Sequence, residues 1–440
     1  MASDNRRVLL AVATPATGDP SDSFLLDFPS YGAHRLHAAL HVAQLGAEIA
    51  VVDISQESAE ALDELIERFR PDVLGCSAYV WSFPQLVDLA RRTKQARPNC
   101  LVVFGGPSST PSMFALPPYR SEQAYVDAIV VGEGDTALCE IVAAWPRSRD
   151  ALRKIHGLYL PGTDGWEETP ARTTLLPLDS MPSPYQLGLM PERRVAYVEG
   201  ARGCPCECLF CGWSGKGKQA RIMSREGLQR ELEALNEHAI DRILLIDAGI
   251  NLDRQAFQNL RDAERATNYL PGKILNCELY PTRVTPEHLE FLARARMSRV
   301  GVGVQSLNPE VLRMQHRPFV AAQLRELLVE LAGIRTVRTD IELILGLPGD
   351  SPESFRRCLD TARSMPANVR VYQALALPGA LMDRAPSELA IEFDPHSLII
   401  SSCAGWTEED LWIERERLSE LITHGTGSAG KFWWAFETAA

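Results

Sequence analysis

Short apolar runs alternate with longer amphipathic stretches along most of this 440-residue chain. Residues 8–13 form an apolar run typical of a strand buried on both faces, and a Pro/Gly/Asp/Ser-rich loop through residues 20–23 follows it. Residues 31–45 have helical periodicity, with Leu36, Leu40 and Ala43 on one face, and stop at Gly46. The pattern then predicts a strand at 48–52, a helix at 58–69 and a strand at 73–78. A further helix, a strand at 100–104 and a short strand at 128–131 follow. Apolar strands separated by amphipathic helices predict an α/β fold with a doubly wound parallel sheet, a Rossmann-like domain over residues 1–140. Ligands of such sheets sit beyond the carboxyl ends of the strands. Those ends carry Ser77, Tyr79, Val80 and Trp81, then Gly105, Gly106, Pro107 and Ser108, then Gly132 and Glu133. Glycines there let the backbone approach a large flat ligand, and Tyr79 and Trp81 are placed to cover it.

Residues 141–192 read as a bridge. A strand at 156–160, turned by Asp164 and Gly165, precedes an extended, Pro-broken linker at 176–185. The strand–helix alternation then restarts over residues 193–380. Strands are expected at 194–198, 242–246, 274–279, 300–304, 340–345 and 371–376. Helices are expected at 224–238, 253–267, 286–295, 319–331 and 351–364. Six such units predict a partial (β/α)6 barrel with its site at the carboxyl ends of the strands. Residues 381–440 hold one helix, 408–422, with Thr407 placed to cap it. Cys403, Trp406 and the aromatic run 431–436 either pack on the barrel or face a substrate.

The chemistry concentrates after the first barrel strand, where Cys204, Cys206, Cys208 and Cys211 fall close together. Cys204, Cys208 and Cys211 are spaced C-x3-C-x2-C, which brings three thiolates to one iron–sulfur cube and leaves its fourth iron open. The other reading is a structural zinc knot with Cys206 as fourth ligand. Zinc sites usually pair two separated Cys or His clusters, and no second C-x2-C or nearby His pair exists.

This spacing, with Phe210 before the last cysteine, resembles the radical S-adenosylmethionine (SAM) superfamily. The resemblance implies a [4Fe-4S] cluster on Cys204, Cys208 and Cys211, with SAM bound at the open iron. Cys206 stands where that family more often carries a bulky residue, and is not read as a ligand. The resemblance continues along the later strand ends. Asp247 and Gly249 lie where the family's "GGE" backbone holds the methionine amino group, although the letters differ. Glu278 is an acid suited to ribose hydroxyls, and Gln305 and Ser306 belong to a "G-x-Q-S" match. Gly346 and Leu347 begin a loop whose backbone would flank adenine, and Tyr372 ends the sixth strand. The first domain resembles the cobalamin-binding domain of many radical SAM enzymes, through its Ser/Tyr/Trp loop, its "GGP" loop and residues 127–135. A nucleotide-binding or ligand-free Rossmann-like domain is the alternative; the lack of G-x-G-x-x-G after the first strand disfavours a dinucleotide. No D-x-H-x-x-G motif is present, so the resemblance implies a cobalt whose lower face is not held by histidine. His34, His37 and His41 read as surface or packing residues on a helix.

Family chemistry then implies a cobalamin-dependent methyltransferase. A 5′-deoxyadenosyl radical would abstract hydrogen from a carbon of a small, specialised metabolite, and methylcobalamin would supply the methyl group. The alternative is a non-methylating ring contraction, cyclisation or rearrangement with the same cofactors. A cobalamin sensor with a vestigial cluster loop is disfavoured by the intact cysteine spacing. The resemblance also implies a flavodoxin- or ferredoxin-type electron donor, and leaves the oligomeric state open.

A formal charge of -12 argues against a nucleic-acid partner. The small basic run Lys216, Lys218, Arg221 reads as an anionic pocket or a solvated loop. No stretch of eighteen apolar residues suggests a membrane span, and the first residues lack a signal peptide's apolar core, so a cytoplasmic enzyme is expected. Ten cysteines then suit a reduced metal site better than a disulfide framework.

Overall fold

Two sheets, each mostly parallel, face each other in the computed structural model, which describes residues 6–15, 30–145, 149–163, 165–213, 220–317 and 319–437. The loop at 20–23, Asp164, Lys216 and Lys218 lie outside the described residues.

The first sheet contains β1 (Arg6–Val12), β2 (Ala47–Asp53), β3 (Val73–Ser77), β4 (Leu101–Gly105), β5 (Ala128–Val130), β6 (Leu158–Pro161) and β7 (Trp166–Glu168), in the order β2-β1-β3-β4-β5-β6-β7. Strand β1 pairs in parallel with both β2 and β3, and Val8 to Val12 are buried, which is why this run shows no alternation. The chain leaves β1 to one side and returns on the other, so a crevice opens at the carboxyl ends of β1 and β3. Helices Tyr31–Val42 and Gly134–Ala144 pack beside each other on one face. The bridge contributes to this sheet as well: β6 and β7 form a hairpin that extends it antiparallel from β5.

The second sheet contains β8 (Val195–Val198), β11 (Arg242–Leu245), β12 (Ile274–Leu279), β13 (Met297–Gln305), β14 (Val337–Leu345) and β15 (Asn368–Gln373), all parallel. A small hairpin of β9 (Ala201–Arg202) and β10 (Arg221–Ile222) follows β8. A second small pair, β16 (Glu392–Phe393) and β17 (Ile400–Ser402), follows β15. These six parallel strands are the ones the sequence predicts, although β15 begins and ends earlier than expected. Its ladder stops at Gln373, and Leu375 turns away to bridge Ile399.

The tail decides its own question. Strands β18 (Gly427–Ala429) and β19 (Trp433–Phe436) add to the sheet antiparallel, with Val369 opposite Phe436 and Tyr372 opposite Trp433. Trp434 and Phe436 are buried in the barrel core, so this aromatic run packs on the domain and does not face the cavity described below. Thr407 caps helix Glu408–Thr423 as expected, accepting from the Asp410 amide.

The two halves are locked together. Tyr31 of the first domain packs its ring 6.0 Å from Tyr185 of the linker and 5.8 Å from Tyr197 of β8. Leu178, Met181, Tyr185 and Met190 of the linker are buried in the barrel core, and the Tyr185 hydroxyl accepts from the Tyr197 amide at 2.9 Å. No helix among the described residues is long and apolar enough to cross a membrane.

Candidate functional site between the two sheets

The carboxyl ends of both sheets open into one shared cavity of about 950 Å³. Its barrel wall is the cysteine loop. The loop starts where Gly200 passes so close to Asp247 that a Cβ would lie 2.9 Å from Oδ2. The Gly200 amide donates to the Asp247 carboxylate at 2.7 Å. Burial pushes the Asp247 carboxyl up to about 7, against the Gly200 and Ala201 amides, which pull it down.

Cys204, Cys206, Cys208, Phe210 and Cys211 all line the cavity. Cys208 is buried, with the Arg317 guanidinium 3.5 Å from its sulfur, and the Trp213 amide donates to the Cys211 sulfur at 3.4 Å. The Cys206 amide donates to the Cys204 sulfur at 3.5 Å, and the neighbouring Cys206 thiol draws the Cys204 thiol below its ordinary pKa and pushes Cys208 above it. Arg384 clamps the loop from behind: its Nη2 reaches the carbonyls of Cys208 (2.8 Å), Leu209 (3.3 Å) and Cys211 (2.8 Å). Leu209 is further tied by its amide to the Gln315 carbonyl at 3.2 Å.

Beside the cysteines, strands β12 to β14 present an acidic floor. Glu278 and Glu342 both line the cavity and are half-buried. Burial and then Asp340 push Glu342 up to about 7, and burial with Glu342 pushes Glu278 well above the carboxylate range. Glycines on β13 leave the room these side chains occupy. A Cβ on Gly301 would meet the Glu278 carboxylate at 2.5 Å, and one on Gly303 would meet Arg317 Nη2 at 2.7 Å. The register shifts between Gly303 and Gln305, where Gln305 takes a left-handed φ of 70° and lines the cavity. Arg317 also stacks over the Tyr280 ring, 4.9 Å from its centroid.

The opposite wall belongs to the first domain. Tyr79 and Trp81 stack at 4.6 Å and remain 37% and 48% exposed, and the Trp81 indole donates to the Ala13 carbonyl at 3.2 Å. At Gly106 (φ 93°) a Cβ would lie 2.7 Å from the Ala78 carbonyl oxygen. At Gly132 (φ 77°) a Cβ would meet nothing within 4 Å, so that backbone is open to a close approach. Ser77 and Gly105 line the same wall. Glu133 lines it too, but its carboxylate is engaged across the domain boundary by Arg202 (3.2 Å) and Arg221. Arg202 also holds Glu199 at 2.7 Å and Asp135 at 3.6 Å.

The remaining expected residues stand behind the walls. Ser306 is buried and accepts from the Asn308 amide at 3.1 Å. Gly249 underlies Leu252, and Ser108 donates its amide to Ala78. Val80 packs on the core of the first domain, and Pro107 is outside the cavity lining. Gly346 (φ 83°) starts a turn in which the Leu347 carbonyl accepts from the Trp406 indole at 3.1 Å. The Tyr372 hydroxyl donates to Glu342 at 3.4 Å. His34, His37 and His41 do not line the cavity, and burial lowers His34 to about 4, so these histidines pack or face solvent.

Arg202, Arg317, Glu342 and Arg384 are functional candidates that the sequence reading did not single out. Glu342 had a signal: it is a second acid two residues after Asp340, so both stand on one face of β14. The arginines had none, because each acts on backbone or side chains distant in sequence.

These residues fit an iron–sulfur cluster and a corrin. A structural zinc site gathers its four ligands on one metal ion. A cubane instead takes its thiolates on separate irons. On the other wall, the glycine edges and the stacked aromatic pair leave a broad surface for a flat macrocycle.

Residues 21–142 match the B12 binding domain family, and residues 198–362 match the Radical SAM superfamily. The chain is 30% identical to the 2-(S-pantetheinyl)-carbapenam-3-carboxylate methyltransferase of Streptantibioticus cattleyicolor, over 78% of this chain and 51% of that protein. It is 25% identical to the anaerobic magnesium-protoporphyrin IX monomethyl ester cyclase of Cereibacter sphaeroides, over 68% of this chain and 50% of that one. The chain thus spans about half the length of these curated relatives. Its fold matches the radical SAM methyltransferase TsrM of Kitasatospora setae, solved with tryptophan substrate and a SAM analogue. That match has a TM-score of 0.71 at 18% identity and covers 93% of this chain and 89% of that one.

Proposed function

Because this chain belongs to the cobalamin-dependent radical SAM family, we propose that it is a methyltransferase acting on a carbon of a small, specialised metabolite. One observation carries the reading: the cysteine loop and the glycine edges of the first sheet face the same cavity. A substrate held between them would meet both cofactors without leaving it. When bound, the cluster and SAM supply a hydrogen-abstracting radical, and cobalamin supplies a methyl group.

Cys204, Cys208 and Cys211 would hold the cluster. Arg317, beside Cys208, suits the methionine carboxylate of SAM. Gln305, Glu278 and Glu342 suit its ribose, and burial shifts both acids toward the protonated form, which can donate as well as accept. Asp247 braces the start of the cluster loop. Gly105, Gly106 and Gly132 with Tyr79 and Trp81 would seat the corrin. The cavity would hold both cofactors together with the reacting part of the substrate, which suits a small molecule. The carbapenam methyltransferase and TsrM, as named above, favour methyl transfer. Reduction of the cluster would come from a flavodoxin- or ferredoxin-type donor.

The relationship to the cyclase favours a second reading, ring closure without methylation. Anaerobic turnover with SAM deuterated in its methyl group separates the two. Methyl transfer gives a trideuteromethylated or partly deuterated product together with S-adenosylhomocysteine. An unmethylated product formed with 5′-deoxyadenosine alone would overturn the methyltransferase reading.

A further inference from the structure

Deep in the first domain's side of the cavity lies a cation that none of the preceding chemistry uses. Arg35, on helix Tyr31–Val42, lines the cavity and is only 4% exposed. Its Nη1 reaches the Tyr31 hydroxyl at 3.5 Å, but Nε and Nη2 are buried without a hydrogen-bond partner among the described residues. A guanidinium cannot shed its proton, so burying two unpaired donors is costly unless an anion completes them. Nearby carboxylates do not. Glu199 is held by Arg202, and Glu231 takes its hydrogen bond from Gln186 at 3.0 Å. Glu133 is engaged by Arg202 and Arg221, and Asp135 lies 3.6 Å from Arg202. Glu199, Glu133 and Asp135 are thus already balanced by other cations, and Glu231, though close enough to feel the Arg35 charge, makes no hydrogen bond to it. Around Arg35 the cavity is apolar, lined by Leu36 and Leu138 from two helices and by Val103 and Val130 from the sheet. The Tyr31 hydroxyl, whose ionisation burial suppresses, stays a donor beside the guanidinium.

We propose that Arg35 and the Tyr31 hydroxyl form an oxyanion subsite, and that the anion it takes is the phosphodiester of cobalamin's nucleotide loop. The fork of Nε and Nη2 matches two oxygens of a phosphate or carboxylate. A phosphodiester is the better occupant because it arrives attached to a large apolar group, and the subsite sits within apolar walls on the corrin's side of the cavity. This assignment rests on the cobalamin reading above.

The test compares dissociation constants of the full-length protein for cobalamin and for cobinamide, which lacks the nucleotide loop, in the same axial-ligand state. In Arg35→Met, cobalamin should weaken about tenfold or more, as for loss of a charge-assisted hydrogen bond. Cobinamide should change less than about twofold, which also shows that the variant is folded. Arg35→Lys should recover part of the loss, and Tyr31→Phe should show a smaller, equally selective one. Equal weakening of both corrinoids, or of neither, would overturn the subsite's assignment. Unchanged cobalamin binding with a raised KM for a carboxylate-bearing substrate would hand the subsite to the substrate and overturn the phosphodiester assignment. Wild-type protein that binds neither corrinoid would overturn this proposal and the cobalamin reading together.

Discussion

Arg384 is the residue on which order in the cluster loop depends most directly. One nitrogen, Nη2, lies within hydrogen-bond reach of three loop carbonyls, at 2.8, 3.3 and 2.8 Å. Nη2 carries two hydrogens, so two full bonds, to Cys208 and Cys211, are available, with the third shared. Each charge-assisted bond is worth about 1.5–3 kcal/mol, which bounds the pair at about 3–6 kcal/mol. The side chain is only partly buried, so water would recover some of this in a truncated variant, and about 2–4 kcal/mol remains. Arg384→Ala should therefore loosen residues 208–211 locally while the two sheets persist. Hydrogen exchange at the Leu209 and Cys211 amides should rise at least about thirtyfold, the equivalent of the lower bound. Iron and sulfide retained after anaerobic reconstitution should fall, and the reduced-cluster electron paramagnetic resonance signal should broaden. Arg384→Lys, a point charge able to reach one carbonyl, should recover part of both effects. An Arg384→Ala protein with wild-type exchange at these amides and full iron content would refute the reasoning.

Two further outcomes follow from the same site. Changing Cys204, Cys208 or Cys211 to Ala should abolish the cluster, whereas Cys206→Ala should retain about four irons per chain; iron loss in the Cys206 variant would make it a ligand. Asp247 has a folded pKa of about 7 against an ordinary value near 4, so its burial favours the protonated form. The stability it contributes is whole below pH 4 and is lost as pH rises through 7. Asp247→Asn escapes that loss, and its stability relative to wild type should climb by about 1.4 kcal/mol per pH unit across this window. A difference that stays flat from pH 4 to 7 in denaturant melts would show that Asp247 is not held neutral.

The strand and helix pattern carried most of the architecture, because a strand buried on both faces must be continuously apolar and its covering helices must be amphipathic. That constraint made β1, β3 and β4 legible, whereas β14 and β15 alternate buried with less buried positions, the period-two pattern of a strand with one buried face. Cysteine spacing was legible for a related reason: a loop that delivers three thiolates to one cluster is local in sequence, as are the Gly106 and Gly132 turns that demand a positive φ. The β6–β7 hairpin was visible as a hairpin, yet which sheet edge it joined was not. Nor was the fate of the Trp433–Phe436 run, since the 59 residues between it and β15 carry no register information.

What only the tertiary structure decided is how side chains from distant segments meet. Arg384 reaches back to Cys208, Arg202 crosses to Glu133, and Glu278 shares its buried floor with Glu342. Each interaction depends on which strand ends face one another, and the energy that selects it is paid in desolvation and returned by a partner that local periodicity does not encode. The chain's local chemistry therefore announced the cofactors, while the closing of two sheets over one cavity determined which residues surround them.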